Sequence, residues 1–550
     1  MKTIRDITIL LLILSATLCN CLMKQNLGGQ WKVTGADGDM SYFETGAFTS
    51  TVILTEITID NATVPGGIFS DLMNNGKIGD IFYGTGDTDY RWVGLSDWTY
   101  STTFTVEPVL LSYLSVNLVF EGLDTFATVS INGQEVGQSK NMFVRYVFNV
   151  GTNEIVVQFS SPVNVAAALA NQTVNEYVIP PECPHKEYNG ICHANRIRKM
   201  QSSFAWDWGP AFASKRQLFR KDVYLEAFDT AVIDYVIATA SRNPDRDIWD
   251  LEIATYFNGG ILDQVWGTIN ATLETEIGTI RVSHDFFQYI NMHLELLAVT
   301  KMEVPIDVVK SWWPNGYGSQ NLYNLKLTFA NEDDTDERAL RVGFRTVELV
   351  QEELEQGRSF YFKVNGHPIF AKGANEIPIN VLPERGQDRE VVRKVLQSAK
   401  DVHMNMLRVW GGGVYESDYF YDLADEFGIL IWQDFMFACA MYPADSDYLS
   451  NVVDEVRHQV KRLGGHPSIA IWSANNENEA ALSQNWYNIT DNNFTLYKND
   501  YIKLYVNTIQ PEVLRILPGA IYITSSPTNG LESDQEDHIA KNPADPLYGD

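Results

Sequence analysis

Short segments in which apolar and polar residues alternate run from about residue 27 to residue 345. In residues 127–133, Val129 and Ile131 alternate with hydroxyl side chains, and Asn132-Gly133 supplies a tight hairpin turn. Residues 324–329 repeat the two-residue period between acidic turns. We therefore expect a sandwich or jelly roll over residues 22–230 and, from its length, an immunoglobulin-like β-sandwich over residues 231–345.

The period changes after residue 346. Apolar side chains at helical spacing, as over residues 391–399, separate strand-like runs. The runs are residues 368–371, 404–409, 428–432, 468–472 and 520–524. Strand and helix in alternation predict a parallel sheet. Polar or aromatic residues such as Arg408, Trp410 and Asp434 lie at the carboxyl ends of the runs or just after them. Sites built from several strand ends favour a (β/α)8 TIM barrel over an open sheet.

The number of strands sets a further expectation for this third domain. Five strand-like runs occur in residues 346–550, whereas a closed barrel needs eight strands. We therefore expect residues 346–550 to form the first five β/α units of a barrel, incomplete here, whose remainder is encoded further downstream.

Charge and composition exclude several classes of partner. The chain has 41 Lys and Arg residues against 70 Asp and Glu residues, a net charge of −29. Such a chain repels nucleic acid and anionic membrane surfaces, so neutral ligands are favoured. Neither a dinucleotide fingerprint nor a His-Glu-x-x-His motif occurs, and we expect no metal and no organic cofactor.

The first 21 residues have the features of a secretory signal peptide. Lys2 and Arg5 precede an apolar run that is too short to span a bilayer, and small residues surround Cys19 and Cys21. The mature chain is expected to be free of membrane, the alternative being an uncleaved anchor. Passage through the secretory lumen also fits five N-glycosylation motifs. Their asparagines are Asn61, Asn171, Asn270, Asn488 and Asn493.

Three cysteines remain after removal of the signal peptide. An oxidising lumen favours a disulfide between Cys183 and Cys192, which flank a short loop. The neighbouring His185 and His193 leave a zinc site as the alternative. Cys439 is then an odd cysteine, which we expect to be a buried structural thiol.

The segment Asn475-Asn-Glu-Asn-Glu479 carries the chemistry. It follows the apolar run 468–472, so Glu477 is expected at the mouth of the barrel, where a carboxyl group can act as a general acid. Glycosidic cleavage needs such a proton donor and, if configuration is retained, a second carboxylate ~5–5.5 Å away. We expect Asn476 to hydrogen-bond the sugar hydroxyl next to the anomeric carbon. The alternative is a solvated polar loop with two ordinary glutamates.

Several motifs along the chain resemble the β-mannosidases of glycoside hydrolase family 2. The matching stretches are Tyr90-Arg-Trp-Val93, Trp98-Thr-Tyr100, Phe120-Glu-Gly-Leu-Asp-Thr125, Asn141-Met-Phe143, Arg145-Tyr146, Ser203-Phe-Ala-Trp-Asp-Trp-Gly-Pro210, Trp312-Trp-Pro-Asn-Gly-Tyr-Gly318, Gly343-Phe-Arg-Thr-Val347, Asn405-Met-Leu-Arg-Val-Trp-Gly-Gly-Gly413 and Trp472 to Glu479. The resemblance implies a jelly roll, an immunoglobulin-like sandwich and a catalytic barrel. It implies removal of terminal non-reducing β-mannose, with retention, from oligosaccharides derived from N-linked glycoproteins.

The same resemblance implies roles for individual residues. Glu477 would be the acid/base, Asn476 its sugar-binding neighbour and Glu479 not catalytic. Asp207 would bind hydroxyls of the terminal sugar, and we expect the tryptophans beside it to give it a dry environment. The alternative is that this segment only packs one domain against another. The substrate-binding set is completed by Trp206, Trp208, Arg408 and Trp410. The nucleophile of the family lies near the end of the seventh strand, beyond Asp550.

One position departs from the family pattern. Where the family has Asn-Trp-Ile-Pro, this chain has Asn375-Glu-Ile-Pro378, so a carboxylate replaces an aromatic side chain near the leaving-group side.

A lysosomal monomer is expected, with secretion as the second choice of location. The competing interpretations are a catalytically inactive sugar-binding fragment and a sibling β-glucuronidase or β-galactosidase.

Overall fold

A computed structural model describes residues 22–36, 56–149, 154–173, 178–209, 211, 218–219, 221–290 and 295–549. The expected signal peptide, residues 1–21, lies outside the described residues. No helix in the described part of the chain is long and apolar enough to cross a membrane.

The first domain is built from antiparallel sheets. A four-stranded sheet has the order Met23–Asn26, Val223–Phe228, Ser115–Phe120 and Tyr146–Asn149. A six-stranded sheet has the order Glu56–Val64, Gly29–Ala36, Trp98–Thr103, Glu154–Ser160, Phe126–Ile131 and Gln134–Lys140. Short strands Gly66–Gly67, Leu218–Phe219 and Leu123–Asp124 form a third sheet. The expected hairpin is confirmed, because Ile131 pairs with Gln134 across Asn132-Gly133.

Helices and a disulfide cover this domain. The α-helices are Ile68–Asn74, Gly86–Asp89 and Pro162–Thr173, and the 3₁₀ turns are Arg91–Gly94, Leu110–Ser112, Lys186–Tyr188, Ala194–Arg196 and Gln201–Phe204. Cys183 and Cys192 form the expected disulfide, with 4.0 Å between their Cα atoms. Because both sulfurs are in this bond, the zinc alternative has no thiolate ligands.

The second domain is a sandwich of two antiparallel sheets. One has the order Ala231–Arg242, Ile248–Gly259 and Leu297–Pro305, and the other has the order Gly278–Tyr289, Gln264–Thr275, Tyr323–Ala330 and Thr335–Val342, with a 3₁₀ turn at Ile306–Val308. Strand Tyr323–Ala330 buries Leu325, Leu327 and Phe329, as its alternation predicts.

The third domain contains five parallel strands in chain order among the described residues. They are Gly373–Glu376, Met406–Val409, Leu430–Asp434, Ile469–Ser473 and Tyr522–Ile523. A small antiparallel sheet of Val347–Val350, Tyr361–Val364 and His367–Ile369 precedes them. The prediction that residues 368–371 form the first parallel strand is therefore wrong. Asn365-Gly366, with φ of 50° and 76°, makes a hairpin turn, so His367–Ile369 pairs antiparallel with strand Tyr361–Val364.

Helices connect the parallel strands and follow them. The α-helices are Pro383–Gly386, Arg389–Asp401, Asp418–Phe427, Ser446–Leu463, Asn478–Ser483, Asp491–Tyr501, Gln510–Ile516 and Leu531–Gln535, with a π-helical segment at Ile502–Ile509. Asp388 caps helix Arg389–Asp401 by accepting hydrogen bonds from the amides of Glu390 and Val391. The helix buries Val392 and Leu396, as its periodicity predicts.

A buried ion pair joins the first domain to the barrel domain. Arg198 donates from two nitrogens to Glu455 of helix Ser446–Leu463, at 2.8 and 2.7 Å. Asn141 and Tyr415 donate to the same carboxylate at 3.1 and 2.8 Å. The guanidinium lies 3.8 Å from the centroid of the Phe437 ring. Both charges are compensated, so this contact fixes how the first domain sits on the barrel.

We expect Glu455→Gln to destabilise the protein by about 3–5 kcal/mol, because it leaves the Arg198 charge buried without its counter-ion. Urea unfolding monitored by tryptophan fluorescence measures the loss. The matched control is Glu303→Gln, which removes one partner of the exposed Arg246–Glu303 pair and should leave the unfolding midpoint nearly unchanged. Equal midpoints for both variants would contradict an anchoring role for the buried pair.

Candidate active site

The carboxyl end of the fourth parallel strand carries Glu477. Strand Ile469–Ser473 is buried along its whole length, and Asn475 ties the segment after it to the fifth strand by donating to the carbonyl of Thr524 at 2.8 Å. Asn475 also accepts from Ser525 Oγ at 2.8 Å. Glu477 has a φ of 65°, a left-handed conformation that costs free energy in a residue with a side chain. The strand end therefore holds Glu477 in a conformation it would not adopt alone.

Arg408 connects three strand ends around this position. Its guanidinium lies 2.7 Å from Asp434 and donates to Asn476 Oδ1 at 3.0 Å and to Asn375 Oδ1 at 3.2 Å. Asp434 is fully buried and also accepts from the amide of Gly411 at 3.0 Å. The structure thus brings together the predicted residues Arg408, Asn476 and Glu477 at the carboxyl ends of the parallel strands.

One oxygen of the Glu477 carboxylate is held by two neighbours. Asn476 Nδ2 donates to Oε2 at 3.1 Å, and Cys439 Sγ lies 2.9 Å from the same atom. Asn476 is 5% exposed, and its amide group already contacts three side chains. The structure therefore shows Asn476 orienting Glu477, whereas its contact with a sugar hydroxyl stays a prediction.

Three tryptophans from two domains form one aromatic surface. The ring centroid of Trp410 lies 4.8 Å from that of Trp206 and 5.7 Å from that of Trp208, in edge-to-face arrangements. Gly412 makes this possible, because a Cβ there would come within 2.1 Å of the Trp410 ring. Trp208 keeps 44% of its surface exposed. An exposed aromatic face at the mouth of a barrel is suited to stacking against a sugar ring.

Asp207 lies at the tip of the turn between Trp206 and Trp208. Backbone hydrogen bonds between Trp206 and Gly209, at 2.9 and 3.2 Å, close this turn, and the amide of Ser202 donates to the carbonyl of Gly412 at 2.9 Å. The expectation of a dry environment for Asp207 is wrong, since its side chain is exposed on the outside of a tight turn. Its carboxylate is presented to solvent beside the aromatic surface.

Glu479 has a different environment from Glu477. It is fully buried, and its Oε1 accepts from Ser533 Oγ at 2.7 Å and from the amide of Ala540 at 2.8 Å. The alternative of a solvated loop with two ordinary glutamates is therefore wrong for this segment. Glu479 anchors the segment after the fifth strand to the fourth.

Glu376 lies buried against a second carboxylate. Glu376 and Glu416 are 7% and 4% exposed. Burial, followed by the charge of Glu416 and a hydrogen bond to it, raises the pKa of Glu376 well above its usual value. The backbone carbonyl of Glu376 accepts from the amide of Trp410 at 3.1 Å. The carboxylate that replaces an aromatic residue is thus turned into the protein next to the site.

Sequence reasoning missed Cys439, Glu416 and Tyr487 as neighbours of the site. The expectation of a buried structural thiol is wrong for Cys439, since it is only partly buried and contacts the carboxylate of Glu477. Tyr487 donates from its hydroxyl to the carbonyl of Cys439. Nothing in the local sequence pattern marks these residues, because they come from loops whose positions depend on the whole domain.

In the described part of the chain, one group of side chains has its ligand atoms close enough together to hold a metal ion. The group consists of Asp422, Asp425 and His466. His466 Nδ1 lies 2.7 Å from Asp425, which also accepts from the amide of Ser468 at 3.0 Å, and Arg341 lies 3.4 Å from Asp422. The carboxylates already have partners. The group lies at the amino end of the fourth strand, away from Glu477.

The five glycosylation motifs fall on the surface. Asn61, Asn171, Asn270, Asn488 and Asn493 are all exposed. Their positions are accessible to modification, which itself stays a prediction.

Three family models match consecutive parts of the chain. "Glycosyl hydrolase 2 galactose-binding domain-like" matches residues 31–215, "Glycosyl hydrolases family 2" matches residues 233–345, and "Glycosyl hydrolases family 2, TIM barrel domain" matches residues 357–492. The chain belongs to glycosyl hydrolase family 2. The sequence-based resemblance to this family is thereby confirmed.

Relatives of this family 2 chain include β-mannosidases. The β-mannosidase of Bos taurus is 41% identical to it, and the match covers 96% of the chain and 58% of the relative. That of Rattus norvegicus is 42% identical, and the match covers 89% of the chain and 56% of the relative. The β-D-mannosidase from Dictyoglomus thermophilum, whose crystal structure is known, is 32% identical to the chain with a TM-score of 0.79. The match covers 96% of this chain and 59% of the Dictyoglomus chain. The chain thus spans somewhat over half the length of these relatives. A Bacteroides uniformis β-glucuronidase, 14% identical with a TM-score of 0.64, shares the fold.

The buried Glu376–Glu416 pair makes stability depend on pH. Since folding raises the pKa of Glu376, its contribution to stability is fully present below the unfolded value of about 4.3 and is lost as pH rises through the folded value. We expect Glu376→Gln to raise the melting temperature, relative to the wild type, more at about pH 7.5 than at about pH 4.

Thermal unfolding followed by circular dichroism at the two pH values measures this difference. The exposed Glu355→Gln variant is the control and should shift the melting temperature equally little at both. A Glu376→Gln effect that is independent of pH would show that burial beside Glu416 does not raise the pKa of Glu376.

Proposed function

We propose that this protein hydrolyses terminal β-mannosides with Glu477 as the general acid/base. The observation that carries the proposal is the position of Glu477 at the carboxyl ends of the parallel strands, with Oε2 held by two donors. Relatives named β-mannosidases, from 32% to 42% identical across nearly the whole chain, support the sugar class.

The chemistry follows from the leaving group. A sugar alkoxide is a poor leaving group, so bond cleavage needs a proton delivered to the glycosidic oxygen. Glu477 is partly exposed at the mouth of the barrel, while its neighbours Asn476 and Asp434 are buried. A proton donor that is partly exposed to solvent, and whose neighbours are buried and fixed, can protonate a substrate and be reprotonated afterwards.

The sugar is proposed to bind between the two domains. Trp206, Trp208 and Trp410 offer the apolar surface for the sugar ring, and Asp207 offers an acceptor for its hydroxyl groups. Arg408, fixed by Asp434, completes the polar side of the same subsite. A stacking surface with a few convergent polar groups distinguishes sugars by their hydroxyl configuration.

Retention of configuration requires a carboxylate nucleophile about 5–5.5 Å from the acid. We assign this role to no described residue. Asp434 is engaged by Arg408 and Gly411, and Glu479 by Ser533 and Ala540, so neither carboxylate is available to attack a sugar. The retaining mechanism is proposed from the family resemblance alone.

The setting of the reaction is also part of the proposal. The expected signal peptide, the exposed glycosylation motifs and the disulfide favour a lumenal protein. We propose that it acts as a monomer in the lysosome, with secretion as the second choice, on oligosaccharides released from N-linked glycoproteins.

A panel of nitrophenyl glycosides tests the sugar class. With enzyme expressed from the full reading frame, we expect kcat/KM for the β-mannoside to exceed that for the β-glucuronide and β-galactoside at least about tenfold. A preference for either of the other two sugars would overturn the assignment. Binding of β-mannosides without turnover would instead support a sugar-binding protein.

Glu477→Gln should lower turnover of a natural disaccharide about 100-fold or more but that of an activated aryl β-mannoside far less, because an aryl leaving group needs little protonation. Steady-state kinetics on both substrates measures the difference. The matched control is Glu532→Gln, which alters a carboxylate paired with Arg358 and should change both rates little. Equal losses on both substrates would remove Glu477 from the acid role.

A further inference from the structure

Cys439 lies directly beside the proposed proton donor. Its Sγ is 2.9 Å from Glu477 Oε2 and 3.3 Å from Asn476 Nδ2. Cys439 is the free cysteine of the described residues, since Cys183 and Cys192 form the disulfide. A thiol that contacts the carboxylate of the proposed acid/base can act on that carboxylate and does not only fill apolar space.

The backbone on both sides of Cys439 is fixed by the same site. The amide of Cys439 donates to the carbonyl of Asn476 at 3.0 Å, and the carbonyl of Cys439 accepts from the hydroxyl of Tyr487. The next amide, that of Ala440, donates to Asn478 Oδ1 at 3.0 Å. These contacts hold Cys439 at a φ of 43°, a conformation that persists in a non-glycine residue only when its surroundings determine it.

Arg408 settles which way the hydrogen bonds run. A guanidinium only donates, so the amide oxygen of Asn476 must face Arg408 and its NH₂ group must face the thiol and the carboxylate. The sulfur is then an acceptor toward Asn476, and the S–H is directed to Glu477 Oε2. Burial, followed by the charge of Glu477, raises the pKa of Cys439 well above its usual value, so the thiol keeps its proton.

We propose that Cys439 is a positioning residue for Glu477: its S–H and the Asn476 amide occupy Oε2, so that the transferable proton is carried on Oε1. Within the described residues no side chain donates to Oε1. When Glu477 is protonated, Oε2 is the carbonyl oxygen that accepts from both donors, and the O–H bond lies on the other oxygen. This inference rests on the proposed acid/base function of Glu477.

Thiol alkylation tests the contact without any turnover. We expect Glu477→Gln to lower the pKa of Cys439 and to speed its reaction with iodoacetamide about tenfold at a pH below that pKa, because a neighbouring negative charge is removed. The rate is followed as a function of pH by mass spectrometry of the peptide that contains Cys439. Glu355→Gln, an exposed carboxylate elsewhere on the barrel domain, should leave the rate unchanged. An identical pH profile for wild type and Glu477→Gln would overturn the proposal.

Kinetics of two cysteine variants test the positioning role. Cys439→Ser keeps a donor and should retain most activity, whereas Cys439→Ala should lower kcat on a disaccharide about tenfold with little change in KM. Cys439→Ala should also move the alkaline limb of the kcat/KM profile to higher pH, because removing a donor destabilises the charged carboxylate. A melting temperature close to that of the wild type shows that Cys439→Ala has folded.

Different outcomes test the positioning role of Cys439 and the acid/base function of Glu477. Loss of activity in Cys439→Ala and Cys439→Ser alike, with no movement of the pH profile, would indicate a structural role and overturn the positioning proposal. If Glu477→Gln leaves disaccharide turnover intact while the alkylation rate still rises, the acid/base function fails, although the thiol–carboxylate contact exists.

Discussion

The arrangement of the site depends on one buried ion pair, Arg198 with Glu455. Removing two charges from water costs several kcal/mol for each ion, and this cost is offset only where the hydrogen-bonding capacity of both groups is well used. Here each oxygen of Glu455 accepts from Arg198 and from one further side chain. Few relative positions of the two domains allow this, so the pair specifies how they dock.

Docking determines where the Trp206–Gly209 turn lies. The turn follows Arg198 by only a few residues, and the intervening segment is tied to the barrel by the bond from Ser202 to Gly412. The tryptophans of the first domain therefore meet Trp410, which follows the second parallel strand. The aromatic part of the candidate subsite exists only in the docked protein, because neither domain contains all of its side chains.

Arg408 orders the polar part of the subsite, because its guanidinium can donate hydrogen bonds but cannot accept them. Arg408 fixes the amide of Asn476, and the amide in turn fixes which oxygen of Glu477 is occupied. Asp434 compensates the charge of Arg408 from a fully buried position. A single guanidinium thus sets the direction of hydrogen bonds as far as the proposed proton donor, without touching that donor itself.

Periodicity and turn residues predict much of the fold and the location of the site. Alternation identifies strands such as Tyr323–Ala330, and polar residues at or just beyond the carboxyl ends of apolar runs identify Arg408 and Glu477. Local pattern fails where pairing decides the outcome, as at His367–Ile369, which is extended but antiparallel. It also fails for Cys439 and for the exposure of Asp207, because contacts across loops and the side on which a turn projects depend on tertiary packing.

We propose that the first domain and the barrel share one sugar site. The most direct measurement is a crystal structure of the Glu477→Gln variant, from the full reading frame, with β-mannobiose bound. We expect the terminal mannose to lie against Trp410, with its hydroxyl groups bonded to Asp207 and Arg408 and its glycosidic oxygen beside residue 477. A disaccharide bound to barrel residues alone, or bound away from residue 477, would contradict it.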